Sequence, residues 1–506
     1  MARHRRPSVW RRTRWRRVVP VLVAAVLLVS GVVSTVVGGS DSADEAPVAA
    51  ARSGGPALPA PGGGRAPAPD GTSPGAACAV PAGPPAGSPS AAASPQPSSR
   101  VTGPPVTGPP VTGPPVTGPP VTGPPVTGLP EATLTVGAAG RYRTIQAAVD
   151  AASAGDTIEI AGGTYSEVVT IRTSGRPGAP LTLRARPGAT VILDGRRTLP
   201  SPSGSARGLI TLDEQEHVRL SGLTVRNSRR HGIYAGFASH VVIENSEVSY
   251  AADGGILVGD GSDVVLTCNR VHHNNAAARG GDIEAAANEG VTLYNVSDFE
   301  IAYNRVYAND EEGIDVKNGT RGGSIHHNDV YRNNGPNIYV DGASDVRIHA
   351  NRIFDARGPT KAGIGLAVES GGTARNVDIY NNVIHGNPGG GVDFWIGSYA
   401  DVRVFYNTIY RNGRAAIRAL GGGVSDSVAR DNIAYGNPLP RVPGFVLERN
   451  LTTDPRFVDL ARGDVRLRPG SAAIDAGSRR TAPATDFTGA ARPAGSAPDL
   501  GAYEYR

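Results

Sequence analysis

The sequence has little of what usually builds a protein core. Of its 506 residues only eight are Phe, three Trp and one Met. Lysine is almost missing too: Lys317 and Lys361 are the only two among 50 basic residues. Two cysteines, Cys78 and Cys268, are too few for a disulfide-stapled scaffold, and Cys78, in a Pro-rich stretch, is expected to be a free thiol. A basic surface is also lacking. The formal charge is +5, yet residues 1–17 alone carry eight Arg and no acid, and residues 131–506 carry 39 basic and 41 acidic residues. Nucleic acid is therefore excluded as the expected partner.

What is present divides by segment. The basic tail 1–17 is followed by the apolar run Val18–Val37, broken only by Ser30, Ser34 and Thr35. Twenty such residues just span a bilayer core of about 30 Å. The arginines would stay inside and send the bulk of the chain outward, so export is expected. An uncleaved transmembrane anchor is favoured over a cleaved signal peptide, because the run is long for one and no small-x-small site follows at once. Residues 38–130 read as a disordered Pro/Gly/Ala/Ser linker: residues 41–130 hold 24 of the 42 Pro, and 101–130 are five copies of VTGPP and one VTGLP. Such a composition buries too little apolar surface to offset the entropy of ordering.

From about residue 218 one phrase recurs: apolar-x-apolar-x-x-Asn-x-apolar-x-x-Asn, then Gly-Ile-x-Val. Its first Asn falls at Asn304, Asn328, Asn351, Asn382, Asn407 and Asn432, and Asn269/Asn274 form an earlier pair. The steps are 24, 23, 31, 25 and 25 residues, the long one carrying insertions near Arg357–Lys361 and Ser370–Thr373. Alternation with period two excludes helical repeats, and a period near 24 with three short apolar runs predicts a solenoid of three-strand coils. Like strands of successive coils would pair in parallel about 4.8 Å apart. Stacked Ile, Val and Leu then supply the core that Phe and Met do not. The Asn positions predict hydrogen-bonded ladders at tight turns. His272, His273, His326 and His327 flank the same turns and read as turn-surface residues.

The segment Tyr142–Ile171, YRTIQAAVDAASAGDTIEIAGGTYSEVVTI, resembles the opening of right-handed parallel β-helix proteins of the pectate-lyase-like superfamily. The resemblance implies a capping helix over Thr144–Ala152 and first strands at Asp156–Ile160 and Val168–Ile171. The segment Asp454–Tyr505 resembles the closing region of secreted bacterial proteins of this type. The expected architecture is thus an all-β, right-handed parallel β-helix over 131–450 with an N-terminal helical cap, a closing region over 451–506, and an anchor and linker before them. The fold alone fixes no activity.

If Ile and Val of the Gly-Ile-x-Val strand point inward, their neighbours point outward. The outward pairs are Leu257/Gly259, Thr292/Tyr294, Asp315/Lys317, Tyr339/Asp341, Gly365/Ala367, Asp393/Trp395 and Arg418/Leu420. The middle of this face is charged and aromatic and its ends are bland. Coil stacking places Lys317 beside Asp341 and Asp315 beside Tyr339. Such a face suits an acidic polysaccharide, with Tyr294, Tyr339, Asp393 and Trp395 as substrate-binding residues.

The favoured activity is β-elimination from a uronate polymer, with Lys317 as base, its pKa lowered by desolvation, and Asp315, Asp341 and Arg418 as further catalytic candidates. Asp310, Glu312, Asp315 and Asp341 are candidate Ca²⁺ ligands, an arrangement similar to the calcium-plus-lysine sites of some β-helix pectate lyases. Two alternatives remain. One is a non-catalytic glycan-binding or adhesive surface protein; the other is a glycoside hydrolase using Asp315 and Asp341 as paired carboxylates. The β-helix is expected outside the cell, tethered to the membrane, as a monomer. The insertion 275–290 is a candidate wall of the cleft.

Overall fold

The computed structural model describes Cys78 and residues 132–275, 289–421 and 423–506. The basic tail, the apolar run and all of the linker but Cys78 lie outside the described residues, as does most of the 275–290 insertion. No helix among the described residues is long and apolar enough to cross a membrane.

The chain winds as a right-handed solenoid of three parallel sheets with 14, 10 and 11 strands. Apart from the first two strands, sequence neighbours do not pair within these sheets; interior strands pair with their equivalents one coil before and one coil after. The ten-stranded sheet carries the face singled out above, through strands that include Gly208–Asp213, His231–Gly236, Ile256–Gly259, Val291–Tyr294, Ile314–Lys317, Ile338–Asp341, Ile364–Ala367, Val392–Phe394 and Ile417–Ala419. Within it Ile233, Ile256, Val291, Ile314, Ile338, Ile364, Val392 and Ile417 stand in register and are all buried. Each contributes about 1.5–3 kcal/mol of apolar burial, which is how small branched side chains replace aromatic bulk.

Two asparagine ladders run along the later coils, from Asn269 to Asn450 and from Asn274 to Asn437. Asn328 is typical: its Oδ1 accepts from the backbone N–H and Nδ2 of Asn304 at 2.8 and 3.0 Å, and its Nδ2 donates to Ile301 O and Asn351 Oδ1. The residue before a ladder Asn takes left-handed backbone in coil after coil, as at Cys268, Tyr303, His327 and Tyr406. That reversal ends one strand and starts the next, and the Asn side chain satisfies the amides it strands. The second ladder has one irregular step: where the repeat offers Ala356, Asn337 from the preceding coil inserts between Asn333 and Asn387.

The same turns hold the histidines. They form ring stacks along the axis more than free surface, as in His272–Tyr307–Tyr331–Phe354–His385–Tyr410 and His326–His349–Tyr380–Phe405.

At the first coils a helix, Ile145–Ala151, is N-capped by Thr144, and both Glu167 oxygens accept from its first backbone amides. A strand not expected from the sequence, Thr133–Val136, precedes it and pairs with Thr157–Ile160; Asp156 holds the two together by accepting from Ala132 N–H. At the other end Phe457–Asp459 and Asp464–Leu467 pair antiparallel, and a second small core joins Phe457, Phe487 and Tyr503 to Tyr410 and Ile433 of the last coils.

The expected free thiol is corrected. Cys78 is bonded to Cys268, with Cα atoms 5.5 Å apart. Cys268 occupies one of the left-handed turn positions, outside the core stack, where a second segment of chain can reach it.

Candidate functional site

The register of the ten-stranded sheet places the outward residues in two columns. One runs Thr211, Tyr234, Leu257, Thr292, Asp315, Tyr339, Gly365, Asp393, Arg418. The other runs Asp213, Gly236, Gly259, Tyr294, Lys317, then Asp341 beside Ala367. Asp315 thus stands beside Tyr339, as the repeat alignment requires.

Lys317 is the centre. Its Nζ lies 2.8 Å from Glu289 Oε1 and 3.3 Å from Asp315 Oδ2, and a quarter of its side chain stays exposed. Glu289, just before strand Val291–Tyr294, is buried, and its other oxygen accepts from the Thr292 hydroxyl at 2.6 Å. Asp315 is fully buried and its oxygens accept no hydrogen bond. Among the described residues the ion pairs of Lys317 are these two and not the expected one to Asp341. The reason is reach: the Asp315 side chain shares the lysine's own strand, and Glu289 approaches from the neighbouring coil.

Charge follows from this geometry. Burial alone pulls the Lys317 pKa down, but Glu289 and Asp315 outweigh it and hold it well above the ordinary lysine value. The expected lowering is therefore corrected: desolvation was counted without the carboxylates that accompany it. Burial drives the carboxyl of Asp315 far up, with Glu289 and Asp341 adding to it, and it raises Glu289 as well. Glu311 is pushed up to about 8 by burial and by Glu312 and Glu289. Asp341 is pushed up to about 6, chiefly by burial, although its Oδ1 accepts from the Glu369 amide at 2.9 Å. At neutral pH Lys317 is an ammonium group, Glu311 largely holds its proton and Asp341 is mostly ionised.

The aromatic residues line one side. Tyr339 is buried and donates to Glu369 Oε1 at 2.7 Å. Trp395 tilts against Tyr339 at 5.4 Å, and the Lys361 ammonium lies 5.3 Å from the Trp395 ring. Tyr294 is open to solvent one coil before Lys317. Asp393 and Arg418 sit farther along the stack and satisfy each other through two hydrogen bonds of 2.7 and 2.6 Å, with Asp393 fully buried.

The four carboxylates considered for Ca²⁺ do not share one point. Asp310 pairs with Arg357 at 2.9 Å, Asp315 faces the Lys317 ammonium, and Asp341 is bonded to the Glu369 backbone. No group of three or more His, Cys, Asp or Glu among the described residues is placed to hold a metal. Calcium takes six to eight oxygens, so this donor set does not fit the ion. The four turn histidines likewise pair with each other: the Nδ1 atoms of His272 and His273 are 2.9 Å apart, and those of His326 and His327 2.8 Å.

Three residues of the site were not foreseen: Glu289, Glu369 and Lys361. For Glu289 a signal exists. Glu289-Gly290-Val291 repeats Glu312-Gly313-Ile314 one coil earlier, so a second acid at that position was legible beside the known one.

Comparison with known proteins agrees with the fold. The family described as right handed beta helix region matches residues 208–364 and 283–403. The uncharacterized protein YwoF of Bacillus subtilis is 29% identical over 370 residues, 65% of this chain and 72% of that one. Pectate lyase PEL9 of Emericella nidulans is 30% identical over 186 residues, 34% of this chain and 44% of that one. Among solved structures, pectate lyase Pel9A superposes with a TM-score of 0.47 at 17% identity, covering 74% of this chain and 97% of that one. The three parallel sheets and the family match over residues 208–403 together show a right-handed parallel β-helix.

Proposed function

We propose that the protein acts outside the cell as a polysaccharide lyase on a uronate polymer, with Lys317 at the reacting centre. One observation carries this reading: the Lys317 amine, partly open on a face rich in carboxyls, is held 2.8 Å from a buried carboxylate that can take its proton. The stretch shared with pectate lyase PEL9 supports the substrate class.

The chemistry begins from the charged lysine. Nζ passes a proton to Glu289 Oε1, 2.8 Å away. The freed lone pair takes the proton from the carbon next to the uronate carboxylate. Those C–H electrons form the ring double bond as the bond to the glycosidic oxygen breaks, and protonated Glu311 gives that oxygen its proton. Lys361 meets the uronate carboxylate, and Trp395 offers its ring to the sugar. These steps draw only on the chain's own residues.

The test is turnover of pectate and alginate by the full chain, with and without added calcium, read by the ultraviolet absorbance of an unsaturated product. Product is expected, with a loss of about 10²-fold or more in Lys317→Ala. Unchanged turnover in that variant refutes the assignment. A second reading, glycan binding without turnover, is favoured by the protonated resting state of Lys317; it is supported if both polymers bind and neither yields product.

A further inference from the structure

The disulfide between Cys78 and Cys268 closes a ring across a sequence separation of 190 residues, and the place where it closes divides the solenoid in two. Cys268 sits at the corner between the 14- and 11-stranded sheets, where strand Ser262–Thr267 ends and Arg270–His272 begins. Both asparagine ladders start in this coil, the first at Asn269 and the second at Asn274. One coil earlier the corresponding positions are Ser246 and Ala251. Ser246 accepts one bond along the stack, from the Leu223 amide at 3.1 Å, and Ala251 has no polar side-chain atom to offer. From Asn269 onward each rung ties neighbouring coils more than once. Asn304 Oδ1 accepts from both the backbone N–H and Nδ2 of Asn269, at 2.9 and 3.1 Å, and Asn269 Nδ2 also donates to Ile243 O of the coil before.

The coils before Cys268 are less reinforced in other respects. A seven-residue helix, Ile145–Ala151, caps them, and a helix of that length does not hold itself together in water. Their interior is not filled: a small apolar cavity is lined by Ile160, Leu183, Leu193, Ile210 and Leu223. Side chains that wall a void lose the dispersion contacts a close-packed core supplies. Their first strand, Thr133–Val136, is an edge of the 14-stranded sheet and is held by one neighbour, Thr157–Ile160.

Connectivity decides how a pull on the N-terminal residues travels. Without the disulfide it would enter at Thr133–Val136 and cross five coil steps before reaching Ser262–Thr267. With the disulfide it passes through the two sulfurs to Cys268, and residues 79–267 lie inside a covalent ring that tension does not open. We propose that this disulfide is a mechanical strap: it makes Cys268 the point by which the solenoid is held, so that load on the N-terminal residues enters the laddered coils directly and bypasses the cap helix and the first coils. The strand Ile314–Lys317 is two coil steps farther on, about 10 Å at ~4.8 Å per coil. Load taken up beside Lys317 therefore crosses a short, laddered stretch of the stack. The strap does not depend on what that face binds or whether it turns it over.

The experiment is single-molecule stretching of the full-length protein between handles on its first and last residues, with and without reductant. The oxidised chain is expected to end shorter by roughly 630–680 Å, the extended span of the 190-residue separation at about 3.3–3.6 Å per residue. In reductant, and in Cys78→Ser, which changes no residue of the solenoid, residues 132–267 are expected to give way first. They should release roughly 450–490 Å at forces below those that unfold the laddered coils. Circular dichroism of Cys78→Ser before stretching confirms that the solenoid is folded. Equal final lengths with and without reductant overturn the strap. So does a reduced protein whose first coils give way only together with the laddered ones or after them.

Discussion

Replacing Lys317 with Met keeps most of the side chain's bulk and removes its charge from between two carboxyls, one 3% and the other 0% exposed. Breaking a buried pair in this way costs about 3–5 kcal/mol when the orphaned charge stays ionised. Glu289 has an escape, which is to take a proton, so the cost must depend on pH. Its folded pKa, already raised by burial, rises further once Lys317 no longer lowers it. A carboxyl with a raised folded pKa contributes stability that is complete below its unfolded value, about 4.3, and is lost as pH rises toward the folded one. Near pH 5 the variant should lose only about 1 kcal/mol, roughly one hydrogen bond. Each further pH unit adds at most ~1.4 kcal/mol per group held neutral, so the loss reaches the 3–5 kcal/mol ceiling by about pH 8. The contribution of Lys317 itself is constant over this window, because its folded pKa lies above its unfolded one and titration begins only near 10. Urea unfolding of wild-type and variant full-length protein near pH 5 and near pH 8 reads the difference. A loss independent of pH, or a variant as stable as wild type near pH 8, would refute the buried-pair account.

Asn328→Ala removes one rung of the first ladder and strands the Asn304 amide and Ile301 carbonyl in a dry interior. At about 1–3 kcal/mol for each unsatisfied group, a loss of about 2–5 kcal/mol is expected in urea unfolding, against well under ~1 kcal/mol for Asn334→Ala, which is exposed. The disulfide is read by thiol titration in denaturant. Wild type should show no thiol until reduced and two afterwards, whereas Cys268→Ser should show one without reductant.

Much of the solenoid was legible because its signals are local and repeated. Ladder Asn, the alternating strands and the outward columns each recur every coil, so an error in one copy is corrected by the next. The register Asp315 beside Tyr339 follows directly from aligning copies. What escaped lies where the repeat is broken. Glu289 ends a long insertion, Glu369 follows the strand Ile364–Ala367 in another, and Asn337 fills a rung from a position that is not a ladder position. Cys78 escaped for a different reason: a cross-link spanning 190 residues has no periodic signature.

The error about Lys317 was one of physics more than of alignment. Desolvation lowers a lysine pKa only when the surroundings are apolar, and in a parallel stack each outward residue has neighbours about 4.8 Å away on both sides. Where these are acids, the lysine is held charged and the acids divide the cost by keeping protons. Glu289, Glu311, Glu312, Asp315, Asp341 and Glu369 set six carboxyls against the ammonium groups of Lys317 and Lys361, a formal charge of −4. With Glu311 protonated at neutral pH the face carries about −3, and about −2 once Asp341 protonates below about pH 6. An anionic polymer therefore meets less repulsion than composition implies, and meets least of it at mildly acid pH. Above about pH 8 the Glu311 proton leaves, so repulsion of a uronate chain rises and the group assigned to protonate its glycosidic oxygen is lost at the same step.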